Sequence, residues 1–227
     1  MAAASNNIRA VVVDLDGTLV DSLPDIADAL NAGLASQGLA PFDLNRVRGM
    51  VGGGVRLLVE RAFAALGPEY ADPELFKRVL AAAFAHYRAH PCDKTVLFPH
   101  AREALAALRS EGMKIGLCTN KPTDITEAIL EQLAVRDLFH SVIGSGGPLP
   151  LKPDPAMLNA CLAELNVASA DAVMVGDSNA DVGAGRGAGC RCVLMSFGYT
   201  QKPAAELGGD LVLDSFAELP AALSRLV

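Results

Sequence analysis

Asp14 and Asp16 stand two positions apart, after the apolar run Val11-Val12-Val13 and before a Gly17-Thr18 turn. In a strand, residues i and i+2 face the same side. Both carboxylates would then leave the carboxyl edge of a sheet, where open α/β folds bind ligands. Two like charges so close call for a cation or a shared proton. An Asp-Gly turn is also an ordinary way to end a strand, so the rest of the chain has to supply the context. Three more polar groups do so: Thr119-Asn120 after the apolar run Met113 to Cys118, Lys152-Pro153-Asp154 in a Gly/Pro-rich loop, and Asp177-Ser178-Asn179-Ala180-Asp181 after Ala172 to Val175. Each has a plain structural explanation: a helix cap, a surface loop, or acidic residues at a helix start. All four fall at the ends of successive strand patterns, which points to one shared site. Carboxylates with a hydroxyl and an ammonium suit a hard divalent cation. Mg²⁺ commonly takes one or two protein carboxylates and fills its octahedron with water and substrate phosphate. The Thr119 hydroxyl and the Lys152 ammonium would hold that phosphate.

The elements that must position these groups alternate. A strand is expected over residues 8 to 15. From Ser22 the pattern turns helical, with Ile26, Leu30 and Leu34 on one face and Ser22 and Asp25 at capping-box spacing. Helical stretches follow at Asp43 to Met50, Val55 to Leu66 and Pro73 to about His90, around the glycine run Gly52-Gly53-Gly54. No strand pattern interrupts them. After Cys92, helices at 101–111, from Pro122 to about 133, at 156–165 and from after Asp181 to Gly189 alternate with strands at 113–118, 141–144, 172–175, 193–195 and 211–213, and a last helix starts at Ser215. Alternation of this kind implies a parallel sheet with right-handed crossovers. The expected fold is α/β: a Rossmann-like, doubly wound parallel-sheet core (1–21 plus 93–227) with an inserted all-α helical cap (22–92), and hinges near Asp21-Ser22 and Cys92-Asp93.

At 227 residues and 51% hydrophobic, the chain can bury a sizeable core. Its formal net charge of −7 argues against a nucleic-acid surface. No apolar window is long enough to span a bilayer, and Met1 to Asn7 lacks the pattern of a signal peptide, so a cytoplasmic location and no membrane partner are expected. Five scattered cysteines do not read as a disulfide framework, and Cys190-Arg191-Cys192 has no further ligand cluster to make a zinc site. His86, His90, His100 and His140 have no partners in sequence and read as surface or packing residues. The expected assembly is a monomer or homodimer acting on a small phosphorylated metabolite.

Taken together, the four motifs resemble those of the haloacid dehalogenase superfamily, in the branch whose helical cap follows the first motif. The matching residues are Asp14-Leu15-Asp16-Gly17-Thr18-Leu19-Val20-Asp21, Leu117-Cys118-Thr119-Asn120-Lys121, Lys152-Pro153-Asp154-Pro155 and Val175-Gly176-Asp177-Ser178-Asn179-Ala180-Asp181. Within that superfamily the chain is most similar to bacterial phosphoglycolate phosphatases. Their glycine-rich cap loop and helix are matched by Val51 to Ala62, and their late loops by Leu149 to Pro155 and Ser196 to Thr200. It departs from them in a shorter loop before Lys152 and in having no aromatic residue just before the cap glycines.

The resemblance implies a mechanism. Asp14 is the nucleophile that forms an aspartyl-phosphate, and Asp16 is the general acid and base. Mg²⁺ is held by the Asp14 and Asp177 carboxylates and the Asp16 carbonyl. Thr119, Asn120 and Lys152 hold the phosphoryl oxygens, with Asp181 and Ser178 behind them. The free N–H groups opening a helix after Gly53 and Gly54 suit a small carboxylate, with Arg56 as a helper. That fits 2-phosphoglycolate. Phosphatases of sugar or amino-sugar phosphates, nucleotides or pyrophosphate share the four motifs, as does a sugar phosphomutase. A dehalogenase would not need Asp16. A phosphonate-cleaving relative would need a lysine early in the cap, where the first is Lys77. A non-enzymatic phospho-aspartate signalling module would be about half this length and capless.

Overall fold

The computed structural model describes residues 8–226. Its centre is β1 (Ala10–Val13), whose four side chains are fully buried. A strand covered on both faces has no reason to alternate polar and apolar residues. It therefore appears in the sequence as an unbroken apolar run. The remaining elements follow in chain order: β2 (Val20–Asp21), α1 (Leu23–Ala35), α2 (Leu44–Arg48), α3 (Val55–Leu66), α4 (Pro73–Ala89), β3 (Val96–Leu97), α5 (Ala101–Ser110), β4 (Lys114–Pro122), α6 (Thr123–Gln132), β5 (Ser141–Ser145), α7 (Ala156–Leu165), β6 (Ala172–Gly176), α8 (Asn179–Ala188), β7 (Arg191–Met195), β8 (Leu211–Leu213) and α9 (Leu219–Leu223).

The main sheet runs β5-β4-β1-β6-β7-β8, and every pairing in it is parallel. Its two faces are visible in β1 itself. Val11 and Val13 pack into one apolar cluster with Leu105 and Leu108 of α5 and Ile125 and Ile129 of α6. Ala10 and Val12 join the opposite cluster, with Met157, Leu158 and Cys161 of α7 and Ala184 of α8. Each large aliphatic side chain so buried contributes about 1.5–3 kcal/mol relative to exposure. The result is a three-layer α/β core. Among the described residues no helix is long and apolar enough to cross a membrane.

Three local readings differ from the expected ones. The first strand stops at Val13, because the Leu15 carbonyl accepts from the N–H groups of Thr18, Leu19 and Val20 and folds the chain into a tight turn. Strand β4 continues past Cys118 to Pro122, with a shift in its register against β5. Ser22 and Asp25 do not form a capping box. The Ser22 hydroxyl instead donates to Asp16 Oδ1 at 2.5 Å. The Asp25 carboxylate is buried and accepts from Lys94 N, from Thr95 N at 2.8 Å and from Thr95 Oγ1 at 2.6 Å. These contacts span about seventy residues of chain, so nothing local could announce them. They tie together the two segments that lead into and out of the helical stretch, which also pair as the short antiparallel ribbon β2-β3.

Helices α1 and α4 pack tightly together at Gly33. A Cβ there would stand 2.7 Å from the Val79 carbonyl oxygen and 3.0 Å from the Ala83 Cβ. Gly33→Ala should therefore force the helices apart and cost about 1–3 kcal/mol, read as a lower thermal midpoint. Gly147→Ala, with no atom within 4 Å of the added carbon, is the control that should leave the midpoint unchanged.

Candidate active site

The carboxyl ends of β1, β4 and β6 open into a cavity of about 560 Å³. Asp14 lies one residue beyond β1 and Asp177 one residue beyond β6, both buried. The Asp14 N–H still bonds the Val175 carbonyl at 2.9 Å, so the sheet ladder itself fixes where its carboxylate begins. Thr119, on β4, is buried on the same rim.

Lys152 reaches this rim from the loop before α7. Its side chain is only 2% exposed, and Nζ donates to Asp14 Oδ1 (2.7 Å), the Cys118 carbonyl (2.7 Å) and Asp181 Oδ1 (2.6 Å). Those contacts use all three of its protons. Asn120 holds it in place by a paired amide contact: Nδ2 donates to the Lys152 carbonyl at 2.9 Å, and Oδ1 accepts from the Lys152 N–H at 2.8 Å. Asp181 is occupied on both oxygens, because Oδ2 accepts from Ser178 Oγ at 2.6 Å and from the N–H groups of Ser178 and Asp177. Asp177 Oδ2 accepts from the Tyr199 N–H at 2.7 Å.

Carboxylate oxygens of Asp14, Asp177 and Asp181 lie within 4.8 Å of one another. Burial pushes the Asp14 carboxyl up to about 6; Lys152 pulls it back, while Asp181 and Asp16 add repulsion. Burial, then the charges of Asp181 and Asp14, raise Asp177 well above the usual carboxylate range, against the Tyr199 N–H and Lys152. Burial alone would lower the Lys152 ammonium, but Asp14 and Asp181 outweigh it and hold it charged. Three buried carboxylates against one ammonium leave negative charge unbalanced, and every donor is a hard oxygen. The set fits a divalent cation of the Mg²⁺ type.

The structure brings Asp14, Asp16, Thr119, Asn120, Lys152, Asp177, Ser178 and Asp181 around one cavity, together with Gly53 and Gly54. Gly52, Gly53 and Gly54 all take positive φ (110°, 85° and 91°), which side chains other than glycine rarely adopt. Arg61 fastens the loop by donating to the carbonyls of Met50, Val51 and Gly52. Arg56 does not join the site. It points outward, pairs with Glu60 at 2.9 Å and stacks over Phe76. A helix turns about 100° per residue, which sends residue 56 away from the face that Leu57 and Leu58 present to the cavity.

Three further residues carry no role in the sequence reading. The Tyr199 hydroxyl accepts from the N–H groups of Ser22 (2.7 Å) and Leu23 (3.0 Å) and donates to Asp21 Oδ1 at 2.8 Å. It thereby joins Asp177 to the start of α1. Lys121 is buried and bonds Asp16 Oδ1 at 2.6 Å. The same two-residue rule that pairs Asp14 with Asp16 would have paired Lys121 with Thr119. Tyr87, on α4, touches Lys121; no pattern in the sequence points to it.

A family profile described as haloacid dehalogenase-like hydrolase matches residues 8–189. The phosphoglycolate phosphatase of Rhodospirillum rubrum is 45% identical over 214 residues, which cover 93% of this chain and 89% of that protein. Among solved structures, a predicted phosphoglycolate phosphatase from Haemophilus somnus aligns with a TM-score of 0.88 at 29% identity, covering 97% of this chain and 99% of that one. CbbY from Rhodobacter sphaeroides, solved in complex with phosphate, aligns with a TM-score of 0.78 at 26% identity over 96% of this chain and 99% of that one.

Removing the amide that positions Lys152 tests this geometry. Asn120→Ala leaves both Lys152 backbone groups without their partner and should destabilise the protein by about 1–3 kcal/mol. Thermal melting reads that loss.

Proposed function

The chain belongs to the haloacid dehalogenase-like hydrolases, and we propose that it is a Mg²⁺-dependent phosphatase converting 2-phosphoglycolate to glycolate and phosphate. The observation that carries this reading is the pairing of Asp14, buried against Lys152, with Asp16 two residues on in the same cavity. The substrate is supported by the name borne by the 45%-identical relative. Residues 22–92 act as a cap over a core made of 1–21 and 93–227.

The phosphoryl group sits against Asp14, with Thr119 and the Asn120 N–H on its oxygens and the Lys152 ammonium, held by Asp14, Asp181 and the Cys118 carbonyl, supplying positive charge beside them. Attack of an Asp14 carboxylate oxygen forms the aspartyl-phosphate and breaks the bond from phosphorus to the glycolate oxygen. Asp16 gives that oxygen a proton as it leaves. It then takes a proton from the water that attacks phosphorus, which frees phosphate and restores Asp14. When bound, Mg²⁺ on the carboxylates of Asp14 and Asp177 and the carbonyl of Asp16 supplies the positive charge that keeps Asp14 ionised and offsets the phosphoryl charge. Asp181 and Ser178 hold Lys152 and the Asp177 backbone in register. The glycine loop lines the same cavity, where the N–H groups of Gly53 and Gly54 suit the substrate's carboxylate. Closing that cavity excludes water from the reacting atoms.

Phosphate release from a panel of 2-phosphoglycolate, sugar phosphates, nucleoside monophosphates and pyrophosphate should give the highest kcat/KM with 2-phosphoglycolate. A higher value with any other member would overturn the substrate. Asp14→Asn should abolish turnover, whereas Thr119→Ala, losing one donor to transition-state charge, should lower it about 10²–10³-fold; near-normal turnover in Asp14→Asn would sink the covalent route.

Mg²⁺ should also stabilise the protein without any substrate, by about 2.7 kcal/mol at a hundred times its Kd, read as a rise in the thermal midpoint. The cation needs ionised ligands, and Asp14 in the metal-free protein takes up its proton near pH 6. The Mg²⁺-dependent rise should thus be full at pH 7.5 and shrink as the pH falls through 6. A rise that stays constant down to pH 5 would show that Asp14 is not a ligand.

A further inference from the structure

Three basic side chains line the cavity: Lys152, Arg61 and Lys121. Lys152 has spent its three protons on Asp14, Asp181 and the Cys118 carbonyl. Arg61 is turned to the carbonyls that hold the glycine loop. Lys121 differs from both. Its side chain is 2% exposed, and its ammonium donates only to Asp16 Oδ1, at 2.6 Å, and to the Tyr87 hydroxyl among the described residues. An ammonium has three protons, so one remains for the cavity.

Tyr87 contributes in the same direction. Its ring lies under the ammonium, with Nζ 4.4 Å from the centroid. Burial raises the phenol's pKa well above its ordinary value, so the hydroxyl keeps its proton. That hydroxyl accepts from Lys121 and donates to no acceptor among the described residues. Lys121 and Tyr87 together therefore present two unspent donors, one of them cationic, inside a cavity whose phosphoryl end is already furnished.

We infer that Lys121 and Tyr87 form the subsite that takes the substrate's second anionic group, and that they select phosphomonoesters whose carboxylate lies one carbon from the ester carbon. The inference rests on the phosphatase reading above and deepens it. Its carrying observation is a distance. Asp16 must reach the leaving oxygen to protonate it, and the Lys121 ammonium stands 2.6 Å from Asp16. A carboxylate two bonds from that oxygen falls within the reach of the same ammonium. A neutral alcohol leaves the ammonium with Asp16 alone.

The glycine loop lines the same cavity as this subsite. A Cβ on Gly54 would sit 3.5 Å from the carbonyl oxygen of Asn120, the residue before Lys121. The carboxylate is thus gripped between the start of α3 and the end of β4. Arg56 takes no part, since it faces solvent.

The test compares 2-phosphoglycolate with ethyl phosphate, which keeps the phosphoryl group and the carbon skeleton but has no charge at the far end. In the wild type the ratio of kcat/KM values should favour 2-phosphoglycolate strongly. Lys121→Met should lower that ratio at least about tenfold, mainly through KM, because a buried donor built for a charged group discriminates sharply against its absence. Lys121→Arg should restore part of it. Tyr87→Phe, which keeps the ring and hence the packing, should lower the ratio in the same direction by a smaller factor. Equal losses on both substrates in Lys121→Met would overturn the inference and leave Lys121 as a positioning residue for Asp16. An unchanged ratio in both variants would overturn it as well. A wild type that shows no preference between the two substrates would instead overturn the phosphoglycolate reading itself.

Discussion

The Lys152 ammonium, enclosed between Asp14, Asp181 and the Cys118 carbonyl, is the contact on which the site depends. An isolated buried charge is costly. This one is tolerated because two carboxylates flank it at 2.6–2.7 Å and a carbonyl takes its third proton. The reverse holds for the carboxylates, which would repel one another without it. Removing one partner from such a cluster typically costs about 3–5 kcal/mol, because the charges left behind stay buried. One lysine does not balance three carboxylates, and the residual negative charge among hard oxygen donors suits a divalent cation.

Much of the surrounding structure exists to hold that lysine. Asn120 fastens its backbone from β4. On the other side the loop leans against α8, whose small residues would otherwise be poor helix material at about 1 kcal/mol per glycine. A Cβ on Gly183 would lie 2.6 Å from Pro153, and one on Gly187 would lie 3.1 Å from Pro155. A third glycine, Gly185, faces the sheet, where Cys192 and Met174 leave no room for a side chain. Helical propensity is given up along α8 so that loop, helix and sheet can close on the site. The same logic applies between α1 and α4, which meet at Gly33.

The helical stretch and the core are linked by specific polar contacts beside the connecting chain. Arg48 donates to the Gly198 carbonyl at 3.1 Å and Gln201 to the Gly49 carbonyl at 2.9 Å. Tyr199 spans the gap between Asp177 and the start of α1, and Lys121 meets Tyr87 across the cavity. Each contact has one partner within a few residues of a site group. Movement of the helices would thus be felt at the carboxylates, and this arrangement suits a site that must exclude water during reaction and admit it afterwards.

Periodicity by itself determined the layered α/β plan. Val11 to Val13, Ala172 to Val175 and the helices between them could bury their apolar faces only in that way. Proximity in the chain kept Asp14 and Asp16 in one cavity although the strand ends at Val13 and the chain turns at Leu15, and the order of strand ends put Thr119, Lys152 and Asp177 beside them. These signals are local, and local signals survive in a sequence. Tertiary structure alone decided the rest. Ser22 and Asp25 have capping-box spacing, yet their partners lie at Asp16 and at Lys94-Thr95. Arg56 stands two residues from the cavity glycines but faces solvent, because a helix turns about 100° per residue. Tyr87 reaches Lys121 from 34 positions away. Contacts of that kind depend on which faces meet when helices pack against a sheet edge, and no spacing along the chain encodes them.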